Sequence, residues 1–158
     1  PPWAPTHGQH FAYLSAGAAA GRYTLLSQAF AGNAGDVVSF DIFFDGGDYL
    51  PYNDNGFANV LNLDTLDLDN VYMKDIASVG DYGEDGWRTV SYTIPGNGNY
   101  RLLFGVNNDG DNKGPSFLGV DNLIVRGSGE PVPEPSTILI WALAGAGLFA
   151  RSRRRTAA

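Results

Sequence analysis

The chain has 158 residues and no cysteine, which excludes disulfides, thiolate metal sites and cysteine nucleophiles. It carries ten basic and seventeen acidic residues, for a net charge of −7 at neutral pH. Four of the ten basic residues follow position 150, so the remainder has six basic and seventeen acidic residues and a charge of −11. Such a body should repel nucleic acid and anionic lipid, and we expect no nucleic-acid partner.

Residues 1–126 show short strand patterns separated by turns rich in Gly, Asn and Asp. The clearest pattern is Val37–Asp45, where Val38, Phe40, Ile42 and Phe44 alternate with smaller or polar residues. Further strand patterns cover residues 10–15, 23–31, 57–63, 71–79, 87–94, 100–106 and 117–126. This number of short strands, without an amphipathic helix, predicts an all-β fold, an antiparallel β-sandwich.

Two details of strand pairing follow from the pattern of the last third of this region. Trp87–Ile94 and the strand from Tyr100 to Val106 are joined by the strong turn Pro95–Asn99, which predicts that they form a hairpin. The segment Phe117–Arg126 has apolar residues on both faces, which is typical of a central strand.

The C-terminal segment has three parts in a fixed order. Residues 127–136 form a Pro-rich linker, which proline keeps extended. Fourteen uncharged residues, 137–150, follow; as a helix they would measure about 21 Å, against a hydrocarbon core of about 30 Å. We predict a single membrane helix spanning Ile138–Ala150 and a basic cytoplasmic tail, so that residues 137–158 form the anchor. The stop-transfer residues are Arg151, Arg153, Arg154 and Arg155.

This order resembles the PEP-CTERM sorting segment of Gram-negative bacteria. The resemblance is carried by the apolar run, the terminal arginines and the motif Val132, Pro133, Glu134, Pro135 and Ser136. It implies export across the inner membrane, a membrane-anchored precursor, cleavage near the motif by exosortase, and delivery to the cell surface or the extracellular space. The alternative is an ordinary single-span anchor that is never processed.

The chain begins Pro-Pro-Trp, without methionine or a signal peptide. Export by the general secretion route requires such a peptide. We therefore expect that the sequence is a fragment or a processed form, and that its ectodomain lacks an N-terminal strand.

Residues 86–92, 98–106 and 118–123 resemble the last strands of bacterial jelly-roll modules that are common in PEP-CTERM proteins and related to carbohydrate-binding modules. The resemblance implies a jelly-roll-like sandwich. In related jelly rolls, an aspartate equivalent to Asp121 often helps to hold a structural calcium ion, together with an acidic residue near the start of the domain.

Aspartate-rich loops make calcium the cofactor to consider, because it takes six to eight oxygen ligands from flexible loops. The loops at residues 45–56 and 107–114, together with Asp121 inside an apolar strand, supply candidate ligands. These predicted ligands are Asp45, Asp48, Asp54, Asp109, Asp111 and Asp121. In the alternative interpretation, the same side chains only cap turns.

Tyr49 and Tyr52 lie in the first of these loops, where exposed rings could stack on sugars. The sequence has no nucleophile elbow and no phosphate-binding loop, and His7 and His10 lack further ligands for zinc. We therefore expect a non-enzymatic surface or matrix protein with a role in adhesion, matrix structure or ligand display. Its partners would be exosortase, transiently the inner membrane, and an exopolysaccharide. The alternative is a secreted carbohydrate-binding module or part of a carbohydrate-active enzyme.

Overall fold

The structure is a computed structural model that describes residues 3–17 and 19–128. This part of the chain contains eight strands and one short helix. The strands are β1 (Ala12–Ser15), β2 (Tyr23–Gly32), β3 (Val37–Asp45), β4 (Asn55–Asn62), β5 (Leu68–Asp75), β6 (Arg88–Thr93), β7 (Gly98–Asn107) and β8 (Phe117–Arg126). The helix α1 (Ile76–Val79) lies between β5 and β6.

The strands form two four-stranded antiparallel sheets, in the orders β1-β8-β3-β6 and β2-β7-β4-β5. The first strand therefore pairs with the eighth, the second with the seventh, the third with the sixth and the fourth with the fifth. This nested pairing, in which successive strand pairs alternate between the two sheets, is the topology of a jelly roll. The predicted all-β antiparallel sandwich is confirmed.

The core lies between the sheets and follows the predicted alternation. In β3, the four apolar residues that share a face are fully buried. In β7, Tyr100, Leu102, Phe104 and Val106 are buried in the same way. Phe40 and Phe104 meet edge to face across the sandwich, with ring centroids 5.0 Å apart. Each side chain removed from water contributes about 1.5–3 kcal/mol, so these facing rows stabilise the two sheets against each other.

The predicted hairpin of β6 and β7 is wrong, because these strands belong to different sheets. β6 pairs with β3, whereas β7 pairs with β2 and β4. The connecting residue Ile94 is buried in the core. Its backbone is hydrogen-bonded to the turn before β3. The Ile94 N–H donates to the Asp36 carbonyl, and the Ile94 carbonyl accepts from the Gly35 N–H, each at 2.8 Å. The chain thus crosses from one sheet to the other at this turn, and β6 does not pair with β7. By contrast, β8 lies between β1 and β3, so its predicted central position is confirmed.

The segment before β1 has no strand or helix in residues 3–11, and it covers the outer face of the first sheet. Phe43 points away from the sandwich core and is nevertheless fully buried. Trp3 stacks on Phe43 with ring centroids 4.3 Å apart, and Trp87 meets the same ring edge-on at 4.5 Å. The Trp87 indole N–H also donates to the Ala4 carbonyl at 3.0 Å. Aromatic contacts therefore hold the N-terminal segment against β3.

The predicted membrane helix over Ile138–Ala150, its arginines and the sorting motif lie outside the described residues. Within residues 3–17 and 19–128, no helix has the length and apolar character needed to span a membrane.

Candidate functional site

The two ends of the sandwich differ in their connections. One end, which we call the short-turn end, carries the turns at residues 33–36, 63–67 and 94–97. The other, the long-loop end, carries the connections at residues 16–22, 46–54, 80–87 and 108–116. Connections of antiparallel strands alternate between ends, so loops distant in sequence meet there. The Tyr82 N–H donates to the Asp48 carbonyl, and the Gly21 N–H to the Asn108 carbonyl, at 2.8 and 2.7 Å.

Three tyrosines form a group at the long-loop end, which we call the tyrosine cluster: Tyr49 and Tyr82 are exposed, and Tyr52 is half-buried. The Tyr49 ring lies 5.6 Å from Tyr52 and 5.7 Å from Tyr82. The exposed fraction is 43% for Tyr49 and 65% for Tyr82. Tyr82 has a φ of 54°, a left-handed conformation that is unfavourable for a bulky residue and is often retained at functional sites.

The structure thus brings together the two tyrosines that the sequence suggested, and it adds Tyr82. The pKa of Tyr82 is raised above its usual value. Burial is the largest cause, and the neighbouring Tyr49 and the charges of Asp48 and Asp81 add to it. Nothing in the sequence linked Tyr82 to the loop that holds Tyr49 and Tyr52, because the contact depends on the packing of residues 80–87. The strained position of a large aromatic residue is visible only in the folded backbone.

Beneath the tyrosine cluster lies a second group, the buried polar cluster: Asp48, Asp54, Asn108 and Ser116. The exposed fraction is 4% for Asp48, 0% for Asp54 and 1% for Asn108. Asp54 accepts hydrogen bonds from the Asp109 N–H and the Ser116 hydroxyl, both at 2.7 Å. The Ser116 hydroxyl also accepts from the Gly47 N–H at 3.0 Å. These bonds tie the loop at residues 46–54 to the connection at residues 108–116.

Asp48 and Asp54 are close enough for their charges to interact. Burial raises the pKa of Asp54 above its usual value; the bonds from Ser116 and Asp109 oppose this shift, and the negative charge of Asp48 adds to it. Asp48 itself accepts from the Tyr49 N–H at 2.9 Å. In the described part of the chain, the one ion pair is Arg88 with Asp85, so no lysine or arginine neutralises the two buried carboxylates.

The other predicted calcium ligands are dispersed. Asp45 accepts from the Trp3 indole N–H at 3.1 Å, and Asp111 accepts from the Lys113 N–H at 2.8 Å. Asp109 is exposed and meets Asp54 only through its backbone. Across residues 3–17 and 19–128, no three His, Asp or Glu side chains come close enough to hold a metal ion.

Asp121 receives backbone donors from the N-terminal segment instead of an acidic neighbour there. It accepts from the Thr6 and His7 N–H groups at 2.7 and 2.9 Å and from the Asn122 N–H at 2.7 Å. Burial alone would raise the pKa of Asp121, but these bonds outweigh it and hold the pKa below its usual value. Thr6 also donates its hydroxyl to Asp41 at 2.6 Å, which links the segment to β3. Calcium at Asp121 stays a prediction.

The chain has distant structural likenesses. Two solved structures, titled "Structure of infectious bursal disease virus Gx strain" and "Structure of infectious bursal disease virus Gt strain", are each 11% identical to it and cover 77% of it. Their TM-scores are 0.38 and 0.29, and the chain spans 32% and 34% of those chains, about a third of their length. No curated protein matches the sequence.

Residues 131–155 match the family model described as the PEP-CTERM protein-sorting motif. The match includes the whole Pro-Glu-Pro motif, the apolar run and the terminal arginines. This motif implies export, a membrane-anchored precursor and processing by exosortase. The chain therefore carries a C-terminal PEP-CTERM sorting motif behind an antiparallel β-sandwich, and it is similar in this segment to exported proteins that exosortase sorts.

Proposed function

We propose that the protein is a non-enzymatic component of the cell surface or extracellular matrix, which uses the long-loop end of its β-sandwich to hold a ligand or neighbour. The observation that carries this proposal is the sorting motif at residues 131–155, because it directs the chain to that location. The sandwich is then the part that works there, in adhesion, matrix structure or ligand display.

The position of the chain exit supports this role. β8 runs from Phe117 at the long-loop end to Arg126 at the short-turn end, and the Ser128 N–H donates to Asp36 there at 3.0 Å. The described chain therefore leaves the sandwich at the end opposite the tyrosine cluster. This exit favours the long-loop end as the surface for contact.

Mass spectrometry of the mature C-terminus tests the sorting step. In a host with exosortase, the wild-type chain should lose its arginine-rich end, whereas a host without exosortase should retain it. Glu134→Ala, inside the motif, should block processing, and Glu130→Ala, just outside the matched residues, should not. An intact arginine-rich end on the wild-type chain in the competent host would favour a permanent anchor.

The second candidate is carbohydrate binding by the tyrosine cluster. Three neighbouring rings, with Asp81 and Asp48 beside them, offer both the apolar faces and the polar groups that sugar rings require. This arrangement favours a polysaccharide ligand over a purely apolar one.

Sedimentation of the 158-residue chain, solubilised in detergent, with insoluble polysaccharides tests this candidate. Tyr49→Ala and Tyr82→Ala should each weaken binding by about tenfold, because exposed aromatic anchors carry much of such affinity. Tyr23→Ala is the matched control, since Tyr23 has the same 43% exposed fraction as Tyr49 and lies outside the cluster. Equal losses in all three variants would exclude the tyrosine cluster as the site, and release of soluble sugar would indicate an enzyme.

A further inference from the structure

We propose that the buried polar cluster is a calcium site in which one ion is shared by Asp48, Asp54 and Asn108, and that this ion fastens the loop at residues 46–54 to the connection at residues 108–116. The inference is independent of the ligand that the tyrosine cluster binds.

The first argument is the charge of the cluster. Asp48 and Asp54 are both almost completely buried, and their charges act on each other. A buried ionised carboxylate is costly unless it is paired, and two neighbouring ones without a counter-ion are more so. Neither forms an ion pair with a lysine or arginine in the described residues. Lys113, the nearest basic residue in the sequence of the connection, contributes its carbonyl to Asn108. A cation between the carboxylates would remove this imbalance.

The second argument is Asn108, whose Oδ1 is buried and has no hydrogen-bond partner. Its Nδ2 donates to the Lys113 carbonyl at 2.9 Å, and an amide flip would set Oδ1 against that carbonyl oxygen. The orientation of the amide is therefore fixed, and its free oxygen needs a donor or a cation. An acceptor without a donor beside two carboxylates is the pattern of an oxygen-ligand site.

The contacts of Asn108 and of its neighbours connect this residue to both carboxylates. The next residue, Asp109, donates its N–H to Asp54 at 2.7 Å. At the other side, Lys113 precedes Gly114, where an added Cβ would stand 3.1 Å from Asp48 Oδ2. The connection at residues 108–116 therefore meets both carboxylates close to Asn108. Gly114, with a φ of 57°, permits this approach.

The chemistry of the ligands favours calcium. All are oxygen atoms, which hard cations prefer to the nitrogen and sulfur ligands of zinc and copper. They come from two irregular loops, and calcium accepts such variable geometry whereas magnesium requires a near-octahedral shell. Each carboxylate oxygen of Asp54 keeps a lone pair after accepting one hydrogen bond, so its existing bonds do not prevent coordination. Carbonyl groups and water would complete the shell.

The proposal predicts calcium-dependent stability. With the 158-residue chain in detergent, calcium should raise the melting temperature by about 5 °C or more relative to EDTA, since a ligand that binds only the folded state stabilises that state. Terbium should bind in place of calcium and emit on tyrosine excitation, because Tyr49 follows Asp48 directly. Calcium should displace it at about 10⁻³ M or below, the range of extracellular modules, and magnesium should not.

Three variants locate the site. Asp48→Asn and Asn108→Ala should each weaken terbium and calcium binding by about tenfold or more, because both remove a ligand. Asp109→Asn is the matched control: it is an exposed acid in the same connection, and its backbone bond to Asp54 is kept, so its affinity should match the wild type. Far-ultraviolet circular dichroism checks that each variant is folded.

Two results would overturn the proposal. One is a wild-type melting temperature that is the same in millimolar calcium and in EDTA. The other is loss of binding in Asp109→Asn with wild-type binding in Asp48→Asn, which would place the ion in the exposed loop.

Discussion

Two buried aspartates at opposite ends of the sandwich have opposite environments. At the short-turn end, Asp36 accepts from the Asn33 and Ser128 N–H groups at 2.8 and 3.0 Å, and these backbone donors lower its pKa. At the long-loop end, burial and the nearby Asp48 raise the pKa of Asp54. Burial is common to both, so the difference lies in the partners: fixed N–H dipoles favour the carboxylate, and a second buried carboxylate opposes it.

The same contrast separates the roles of the two ends. Asp64, also at the short-turn end, accepts from the Asn99 N–H at 2.8 Å, and this bond lowers its pKa. Acidic residues at this end therefore tie turns to strands. Those of the buried polar cluster also join two loops, but the charge of Asp48 opposes that of Asp54, which is an arrangement expected of a ligand site.

The largest expected effect distinguishes the packing of the two ends. In Gly47→Ala, the new Cβ would lie 2.2 Å from the Pro115 carbonyl oxygen, so the loops that hold the buried polar cluster must separate. We expect the free energy of unfolding to fall by about 3 kcal/mol. Gly96→Ala at the short-turn end meets nothing within 4 Å and should change it by less than about 0.5 kcal/mol. Denaturant titration measures both, and equal effects would contradict the tight packing of the long-loop end.

An intermediate effect concerns acid stability at the short-turn end. The pKa values of Asp36 and Asp64 are lower in the folded than in the unfolded chain, so their stabilisation is complete above the unfolded value of about 3.9 and is lost as pH falls through the folded values. The double variant Asp36→Asn, Asp64→Asn should therefore show a flatter decline of melting temperature in acid. Asp109→Asn should keep the wild-type slope. A wild-type slope in the double variant would mean that these bonds do not survive in solution.

The smallest effect is local to one tyrosine near the short-turn end. Burial, together with the hydrogen bond to Asp69 and its negative charge, raises the pKa of Tyr92 to about 12. Asp69→Asn should bring this pKa down toward the usual value for tyrosine, because the neighbouring negative charge is removed. Ultraviolet difference absorbance during alkaline titration measures the change, and Asp67→Asn is the control. An unchanged titration in Asp69→Asn would show that burial alone sets the value.

Local pattern predicted the strands well where each strand has one buried face. β3 was predicted with its observed bounds, and the alternating row of β7 is buried as expected. Pattern failed at β6 and β7, since a strong turn motif indicates a reversal of the chain and not which sheet each strand joins. It also missed α1, whose four residues are too few for a helical period.

The candidate site was predictable only in part. Asp48, Asp54, Tyr49 and Tyr52 could be selected because they share one polar loop. Tyr82 and Asn108 could not, since each joins the site through contacts between distant loops. Asp121 was predicted as a calcium ligand from its position inside an apolar strand, and its backbone donors from Thr6 and His7 became visible only in the structure.

The sequence by itself determined the sorting motif and the β-class of the ectodomain. The motif is recognised from the order of neighbouring residues, and the β-class from the two-residue period of apolar side chains. Neither depends on contacts between residues distant in sequence. Only the tertiary structure decided the first-to-last strand pairing and the meeting of Asp48, Asp54 and Asn108. Those depend on how two sheets bury their apolar faces against each other, which places loops distant in sequence at one end of the sandwich.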